Sequence, residues 1–309
     1  MIDYLENEII VSVFILTYNQ ENYIGQTLKS VLNQKTNFAF QVVIGEDFSF
    51  DDTRKICEEY AILFPDKIKL LPSLEKNIGL IDNYMRTIMQ CTGKYIAICD
   101  GDDYWIDDLK LQKQVDFLEN NPKFSLVHSG VRLSYCNGVT NDIVYNDEIK
   151  LRNFNDLIAA NLIYSVTVLF RNVIREEKLP QWILKYPYGD WQTYLWVIKD
   201  DSEIGYLKDI TAVYRKNIGI SSRLVDSKLI NIEILKELLN DQNFNLKSKI
   251  ILNVLENKEN ELMCDLIRDN SKMSAFFYFL KIGIFRRDKK SLVKLYLYAM
   301  EKNRIKSGV

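Results

Sequence analysis

Apolar, β-branched runs alternate with segments of helical spacing through the first hundred residues of the chain. Residues 9–16 form a nearly continuous apolar run, the pattern of a strand buried on both faces. Residues 22–32 place their apolar side chains on one helical stripe. The pattern then repeats, with strands predicted over 38–44, 68–71 and 95–99 and a further helix over 80–90. This alternation predicts βαβ crossovers and a largely parallel sheet in an α/β fold.

Another predicted helix follows the second strand. Its first turn can be capped by Ser49 or Asp51. Its apolar positions are Ile56, Tyr60, Ile62 and Leu63. Helical spacing therefore predicts that this segment packs against the sheet.

Polar and acidic clusters follow three of the predicted strands. They are residues 17–19, residues 46–47 and residues 100–103. Ligands of parallel α/β sheets bind outside the carboxyl ends of the strands. We therefore expect the three clusters to converge on one binding site.

The cluster at 100–103 holds three carboxylates within four residues, so a positive charge must offset their repulsion. Oxygen ligands of this kind select Mg²⁺ or Mn²⁺, whose remaining positions are filled by water and phosphate oxygens. A metal–diphosphate site is the direct interpretation. A solvated acidic turn that caps the helix from Asp107 is the structural alternative. Neither GxxxxGK[ST] nor GxGxxG occurs, which disfavours a P-loop phosphotransferase and a dinucleotide dehydrogenase.

Composition excludes several other classes. Forty basic and 42 acidic residues give a net charge of −2, unlike a nucleic-acid-binding protein, so we expect no nucleic-acid partner. A single histidine rules out a His-rich zinc site. Five scattered cysteines are typical of reduced, buried thiols in the cytoplasm. Neither a signal peptide nor a membrane-spanning apolar run is predicted.

Five ordered motifs between residues 8 and 222 resemble family 2 glycosyltransferases of the GT-A fold. The motifs are residues 11–19, 46–53, 93–105, 188–191 and 212–217. The resemblance implies a GT-A domain over residues 1–222. It also implies a metal-dependent, inverting hexosyltransferase that takes one sugar from a nucleotide-diphosphate sugar.

The resemblance also implies roles for the acidic residues. Asp102 is expected to ligate Mn²⁺ or Mg²⁺, with Asp100 near the ribose and Asp103 in support. Asp47 is expected to accept a hydrogen bond from N3–H of uracil. Glu46 stands where many relatives have Asp, which leaves the identity of the base open. Phe48 likewise stands where many relatives have Gly.

Other residues are expected to line the nucleotide-sugar site. Thr17, Tyr18 and Asn19 would do so at the end of the first strand, although Tyr18 also fits an ordinary turn aromatic. Asn83 and Arg86 match a related pattern in the helix before the acidic cluster. Arg86 is placed either to pair with the diphosphate or to lie on the surface.

Asp190 matches the carboxylate that takes the proton from the acceptor hydroxyl in this family, with a plain N-cap as the alternative. Arg215 could neutralise phosphate. Asn217 stands where relatives often carry a histidine. His128 falls on an apolar strand, which favours a pocket or core residue over a ligand.

Residues 223–309 are predicted to form a helical region that becomes basic from about residue 271. Helices are predicted over 229–239, 247–255, 259–267 and 292–300. Aromatic residues 276–279 precede a basic cluster at 281–290. They suit an interfacial helix on an anionic membrane. They equally suit packing on the catalytic domain or on a second subunit of a homodimer.

The sequence thus predicts a cytoplasmic enzyme that adds one sugar, most simply from a UDP-sugar, to a saccharide or lipid-linked saccharide acceptor. Surface polysaccharide or oligosaccharide synthesis is the setting that the resemblance implies. Two alternatives stay open: a sugar-nucleotidyltransferase and a non-catalytic scaffold that binds nucleotide sugars.

Overall fold

A computed structural model describes residues 8–145, 151–218 and 227–268. The chain divides into two compact units, Met1–Leu224 and Val225–Val309. The predicted tail helix at 292–300 and the aromatic and basic residues at 276–290 lie outside the described residues.

Strands and helices alternate through the first half of the first unit. Its described strands are β1 (Ile9–Thr17), β2 (Ala39–Glu46), β3 (Ile68–Leu70), β4 (Tyr95–Ile98), β5 (Tyr104–Trp105), β6 (Phe124–Ser134), β7 (Thr140–Ile143), β8 (Leu169–Arg171) and β9 (Glu203–Arg215). Its described helices are α1 (Ile24–Leu32), α2 (Thr53–Leu63), α3 (Leu80–Ile88), α4 (Lys110–Asn120), α5 (Phe154–Ala159) and α6 (Asp190–Val197).

One sheet runs through the unit in the order β3-β2-β1-β4-β8-β6-β9-β5, with β7 paired to β6. The strands from β3 to β4 are parallel, which confirms the predicted βαβ crossovers. Beyond β4 the sheet becomes mixed. β8 is antiparallel to both β4 and β6, whereas β9 returns parallel to β6.

Strand β1 lies at the centre of the core. Every residue from Ile10 to Thr17 is buried, as expected for a strand covered on both faces. Leu28 and Val31 of α1 are fully buried in the same apolar cluster. Burying each such aliphatic side chain contributes about 1.5–3 kcal/mol. The functional loops therefore extend from a rigid element.

Of the two capping residues predicted for α2, one is confirmed, whereas the predicted apolar face was wrong at its last two positions. Asp51, not Ser49, serves its first turn, because Oδ1 of Asp51 accepts the amide of Thr53 at 3.0 Å. Ile62 and Leu63 are 78% and 69% exposed. Thr53 and Cys57 form the buried face of this helix. Because each residue turns the helix by about 100°, Ile62 and Leu63 lie on other faces.

The thiols largely follow the prediction of buried cysteines. Cys57, Cys91 and Cys99 are buried and free, whereas Cys136 is exposed. The expectation was wrong for Cys136 because it lies in the turn after β6 rather than in a core element.

The described part of the second unit is helical. It contains α7 (Ser227–Asn240), a 3₁₀ turn (Gln242–Lys247) and α8 (Ser248–Arg268). The two helices predicted over 247–255 and 259–267 are a single helix, because neither Gly nor Pro interrupts the segment between them. Among the described helices, none is long and apolar enough to cross a membrane.

Candidate active site

The three polar clusters meet at the carboxyl edge of the parallel strands. The amide of Asp47 donates to the carbonyl of Thr17 at 3.1 Å, which joins the ends of β2 and β1. On the other side of β1, the amide of Gly101 donates to the carbonyl of Leu16 at 2.8 Å. The expected convergence of the clusters is therefore present in the structure.

Gly101 allows the acidic turn to approach β1. A Cβ atom at this position would lie 2.7 Å from Oγ1 of Thr17 and 2.4 Å from Oε1 of Gln20. Atoms cannot pack at these distances without moving. The absent side chain therefore sets the position of the carboxylates on either side of Gly101.

A cleft opens above these strand ends. Its empty space, including the part open to solvent, is about 1000 Å³. The predicted site residues that line it are Thr17, Tyr18, Asp47, Asn83, Asp100, Asp102, Asp103 and Asp190. Asn19, Glu46, Arg86 and Arg215 do not line it; they contact the residues and loops around it.

Asp100 is partly buried and lines the cleft. Oδ2 accepts a hydrogen bond from the hydroxyl of Ser165 at 2.9 Å. Burial and the neighbouring charge of Asp102 raise the pKa of Asp100 to about 7, and Asp190 adds a smaller contribution in the same direction. Asp100 and Asp190 line the same cleft.

Asp103 is also buried, and Arg215 completes its surroundings. Oδ1 of Asp103 accepts the amide of Arg215 at 2.8 Å, whereas Oδ2 has no hydrogen-bond partner among the described residues. Burial, followed by the charges of Asp102 and Asp100, raises the pKa of Asp103 well above its usual value. The Arg215 guanidinium donates to the carbonyl of Asp102 and to Oε1 of Gln26, which fixes it beside the turn.

Asp102 lies between Asp100 and Asp103 in the acidic turn. It lines the cleft and is 8% exposed. Burial raises its pKa, and the charge of Arg215 offsets part of this effect. A cation in the cleft would stabilise the charged form of Asp102 and would relieve its repulsion with Asp100 and Asp103.

The donor atoms in the cleft fit a hard divalent cation. In the part of the chain that the structure describes, no group of three or more His, Cys, Asp or Glu side chains is arranged to hold a metal. A Mg²⁺ or Mn²⁺ ion that completes its shell with diphosphate oxygens and water needs only one or two carboxylates. The orphaned Oδ2 of Asp103 and the inward-facing Asp102 meet that requirement.

Asp190 begins α6 and lines the cleft. Its N-cap is Gly189, so Asp190 itself is not the N-cap. Nδ2 of Asn161 lies 3.4 Å from Oδ2 of Asp190. Burial raises the pKa of Asp190. The arrangement leaves a partly uncompensated carboxylate facing the cleft, which suits a proton acceptor.

The side chain of Asp47 accepts hydrogen bonds from the loop before α3. Oδ1 accepts the amide of Ile78 at 2.9 Å, and Oδ2 accepts the amide of Gly79 at 3.0 Å and Nδ2 of Asn77 at 2.9 Å. The carboxylate therefore holds the loop before α3. Each carboxylate oxygen has two lone pairs, so Oδ1 keeps capacity for one further donor.

Three predicted site residues serve the walls of the cleft. Oε1 of Glu46 accepts the amide of Ser49 at 2.6 Å. Arg86 donates to the carbonyl of Glu46 at 3.0 Å, and its Nε is buried without a partner among the described residues. Asn19 joins the loops after β1 and β2 through Ser49 and Phe50.

Several cleft residues were not singled out from the sequence. Tyr188 and Tyr214 lie within the motifs at 188–191 and 212–217, so the motifs could have indicated them. Ser165 lies in a 3₁₀ turn (Ser165–Thr167) that no motif marks. Gln20, in the loop before α1, and Tyr84, on α3, also line the cleft.

His128 is buried on β6, as expected for a core residue. Its ring centroid lies 4.9 Å from that of Tyr206 and 6.0 Å from that of Tyr145. Burial lowers the pKa of His128 to about 3, so the side chain is neutral in the folded protein.

A mostly parallel sheet that becomes mixed at one side, with an acidic cleft at its carboxyl edge, is the arrangement of the GT-A fold. The family model "Glycosyl transferase family 2" matches residues 12–175, more than half of the chain. The chain belongs to this family.

Curated relatives agree with this assignment. An uncharacterised protein of Mycobacterium tuberculosis is 32% identical over 213 residues, covering 67% of this chain and 59% of the relative. The dTDP-rhamnosyl transferase RfbG of Shigella flexneri is 37% identical over 108 residues, which is 34% of this chain and 37% of that protein. The putative teichuronic acid biosynthesis glycosyltransferase TuaG of Bacillus subtilis is 31% identical over 148 residues, with coverages of 46% and 57%. The chain thus spans less than two thirds of the length of these relatives.

Solved structures share the fold. TarS 1-349 of S. aureus in complex with UDP-GlcNAc has a TM-score of 0.60 and 21% identity, covering 94% of this chain and 79% of that one. The mannosyltransferase PcManGT of Pyrobaculum calidifontis, in complex with GDP-Man and Mn²⁺, has a TM-score of 0.58 and 15% identity, with coverages of 96% and 87%. At these identities the likeness supports the fold alone.

Proposed function

We propose that the protein transfers a single sugar, with inversion, from a nucleotide-diphosphate sugar to a saccharide acceptor. The observation that carries this proposal is the composition of the cleft. Asp100 and Asp102 lie at the sheet edge, and Asp190 lies at the start of α6 on another wall of the same cleft. An inverting displacement needs these two elements together, a site for the leaving diphosphate and a separate base for the acceptor.

The residues divide the work as follows. Asp102 holds Mn²⁺ or Mg²⁺, and Asp100 and Asp103 support it from the same turn. The bound metal supplies Lewis-acid stabilisation of the charge that develops on the departing diphosphate. Asp190 takes the proton from the acceptor hydroxyl, and the raised pKa of its buried carboxyl makes it a better base.

We place the nucleotide against the ends of β1 and β2. Thr17 and Tyr18 line this part of the cleft, Asn83 lies on its α3 side, and Asp47 offers its remaining Oδ1 lone pair to a base N–H. A uracil N3–H fits that acceptor, as in a UDP-sugar, and the thymine of a dTDP-sugar carries the same N3–H. The nucleotides named for similar proteins differ (dTDP, UDP and GDP), so the base is part of the test below.

We further propose that the acceptor belongs to a surface polysaccharide or oligosaccharide and that the reaction takes place in the cytoplasm. The name of TuaG, a putative teichuronic acid biosynthesis enzyme, supports this setting. The free, buried thiols of Cys57, Cys91 and Cys99 fit a reducing compartment. Membrane contact and a homodimer remain proposals for the region beyond residue 268.

The test is a screen of UDP-, GDP- and dTDP-sugars for binding and hydrolysis, each with Mn²⁺, with Mg²⁺ or with EDTA. We expect metal-dependent release of one nucleotide, abolished in Asp102→Asn. Asp142→Asn is the matched control because its exposed carboxylate pairs with Arg132 on β6, outside the cleft.

The outcomes separate the alternatives. If no nucleotide sugar shows metal-dependent binding, the assignment of the acidic turn is wrong. If one binds without turnover even when acceptors are supplied, the protein is a scaffold rather than an enzyme. If a sugar phosphate and a nucleoside triphosphate react instead, it is a nucleotidyltransferase.

A further inference from the structure

Phe50 is a large aromatic side chain that projects into solvent beside the cleft. It is 78% exposed, although it follows a strand whose end is buried. Its ring centroid lies 6.5 Å from that of Tyr18, which lines the cleft. The exposed ring is thus continuous with the wall where we place the nucleotide.

The backbone around Phe50 is held firmly. The amide of Phe50 donates to Oδ1 of Asn19 at 2.9 Å, and the amide of Ser49 donates to Oε1 of Glu46 at 2.6 Å. In return, the amide of Asn19 donates to Oγ of Ser49 at 3.0 Å. The exposure of the ring is therefore a property of an ordered loop, fixed from both sides.

Phe48, two residues earlier, is in a costly conformation. Its φ is +59°, the left-handed region that is favourable for glycine and unfavourable for a bulky side chain. Its ring centroid lies 5.8 Å from that of Phe50, in an edge-to-face arrangement. The loop thus carries an aromatic side chain where glycine would be easier, and that side chain supports Phe50.

The three rings pack in the order Tyr18, Phe50, Phe48. Tyr18 lines the cleft, Phe50 is the exposed ring beside it, and Phe48 packs against Phe50. A row of this kind leaves apolar π-surface unused in the free protein. A planar aromatic base is the part of a nucleotide sugar that gains from such a surface, since stacking on aromatic side chains stabilises every base.

We propose that Phe50 is part of the nucleobase site and covers the outer part of the donor base, with Phe48 as the residue that positions it. This inference rests on the proposed function. It assigns a base contact to a residue of the 46–53 motif that the sequence did not single out. It also predicts a contribution to nucleotide affinity that is independent of the diphosphate.

The experiment is calorimetric titration of the full chain, in Mn²⁺, with UDP, GDP and dTDP and with inorganic pyrophosphate. For the nucleotide that binds most tightly, Phe50→Ala is expected to weaken binding about tenfold. Its binding of pyrophosphate should be unchanged. Phe50→Trp should retain the affinity for the nucleotide. Ile62→Ala is the matched control because Ile62 is also 78% exposed but lies at the end of α2.

Each contrary result has a distinct meaning. If the unsubstituted protein binds none of the three nucleotides, the proposed function fails and this inference fails with it. If it binds one of them and Phe50→Ala binds it equally well, only the inference is overturned. An equal loss of nucleotide and pyrophosphate binding would also overturn it, because the substitution would then have disturbed the whole cleft.

Discussion

At the scale of single residues, the site depends on two details, a glycine that lacks a side chain and a carboxylate oxygen that lacks a hydrogen-bond partner. Gly101 lets the acidic turn reach β1, and the buried Oδ2 of Asp103 has no partner among the described residues. Buried polar atoms are normally paired, so an orphan beside two other carboxylates marks a place that a ligand completes.

Gly101→Ala tests the close approach of the acidic turn. The added methyl would lie within 2.8 Å of Oγ1 and Cβ of Thr17, and overpacking of this kind costs about 1–3 kcal/mol. We expect the free energy of unfolding in urea to fall by that amount, with loss of nucleotide-sugar hydrolysis as Asp100 and Asp102 are displaced.

Gly25→Ala is the control for Gly101→Ala. Gly25 lies in α1, and nothing is within 4 Å of a Cβ built there. Alanine is preferred over glycine inside a helix, so this variant should be as stable as the unsubstituted protein or more so. Equal behaviour of the two variants would contradict the steric account.

Asp190→Asn tests the assignment of the base. The amide keeps the size of the side chain but cannot accept a proton at neutral pH. We expect kcat to fall about 10²–10⁴-fold, the usual contribution of general base catalysis. Donor affinity should stay within about twofold, measured by titration, since Asp190 is not assigned to the nucleotide. A loss of donor affinity with kcat unchanged would assign Asp190 to binding instead.

Sequence patterns identified most of these residues because strands β1, β2 and β4 end in recognisable motifs. Ser165 shows the limit of that approach. Its hydroxyl bonds Asp100 across 65 positions of chain, and the 3₁₀ turn that carries it has no pattern of its own. Such a contact is set by where the turn packs.

At the scale of elements, helical periodicity predicted where helices occur better than it predicted where each helix begins and ends. The α8 segment reads as two amphipathic helices because its apolar positions drift around the helix between Leu255 and Leu262. The structure joins them into one helix of 21 residues. A shift of the apolar stripe around the helix does not interrupt the backbone hydrogen bonds. Only Gly or Pro would have indicated that the helix ends there.

Asn257→Pro tests the continuity of α8. Asn257 is exposed and lies midway along the helix. Proline there removes one backbone hydrogen bond and clashes with the preceding turn, which costs about 3 kcal/mol or more. We expect a matching loss of stability, with faster hydrogen exchange in residues 250–262.

Asn257→Ala separates the backbone effect from loss of the side chain. It keeps the helical backbone and should be neutral or slightly stabilising. Two helices with a break near residue 257 would instead tolerate proline as well as alanine.

At the scale of the whole molecule, the sequence predicted the parallel half of the sheet and left the other half undetermined. The βαβ alternation predicted parallel pairing of strands β1 to β4, and the structure shows their order, β3-β2-β1-β4. The strands β8, β6 and β9 are joined by long connections, and their pairings depend on tertiary packing. The side of the cleft that β9 contributes was for that reason less predictable than the strand ends.

The pH dependence of global stability can be tested through His128, the only histidine. Its folded pKa is about 3, below the ordinary value near 6.5, so the unfolded chain binds more protons between these values. The contribution of His128 is therefore fully present above about pH 6.5 and is lost as pH falls toward 3. From pH 7.5 to pH 5 the expected loss is about 2 kcal/mol.

The comparison with His128→Gln isolates this contribution. The Asp100 pKa of about 7 acts in the opposite direction, but it is present in both proteins and cancels in their difference. We expect the stability of the unsubstituted protein, relative to the variant, to fall by that amount over the same range in urea unfolding curves. A constant difference would show that the buried imidazole accepts a proton at little cost.

The contact between Arg215 and Asp103 also constrains the order in which the cleft can be completed during synthesis. The two residues are 112 positions apart in the sequence. The backbone amide of Arg215, at the end of β9, donates a hydrogen bond to Oδ1 of Asp103. A nascent chain that has emerged only as far as residue 175, where the family match ends, carries every carboxylate of the acidic turn but not its arginine. A fragment limited to the matched residues 12–175 would likewise hold the carboxylates of the acidic turn without the positive charge of Arg215. We therefore expect that an active fragment must extend through the end of β9.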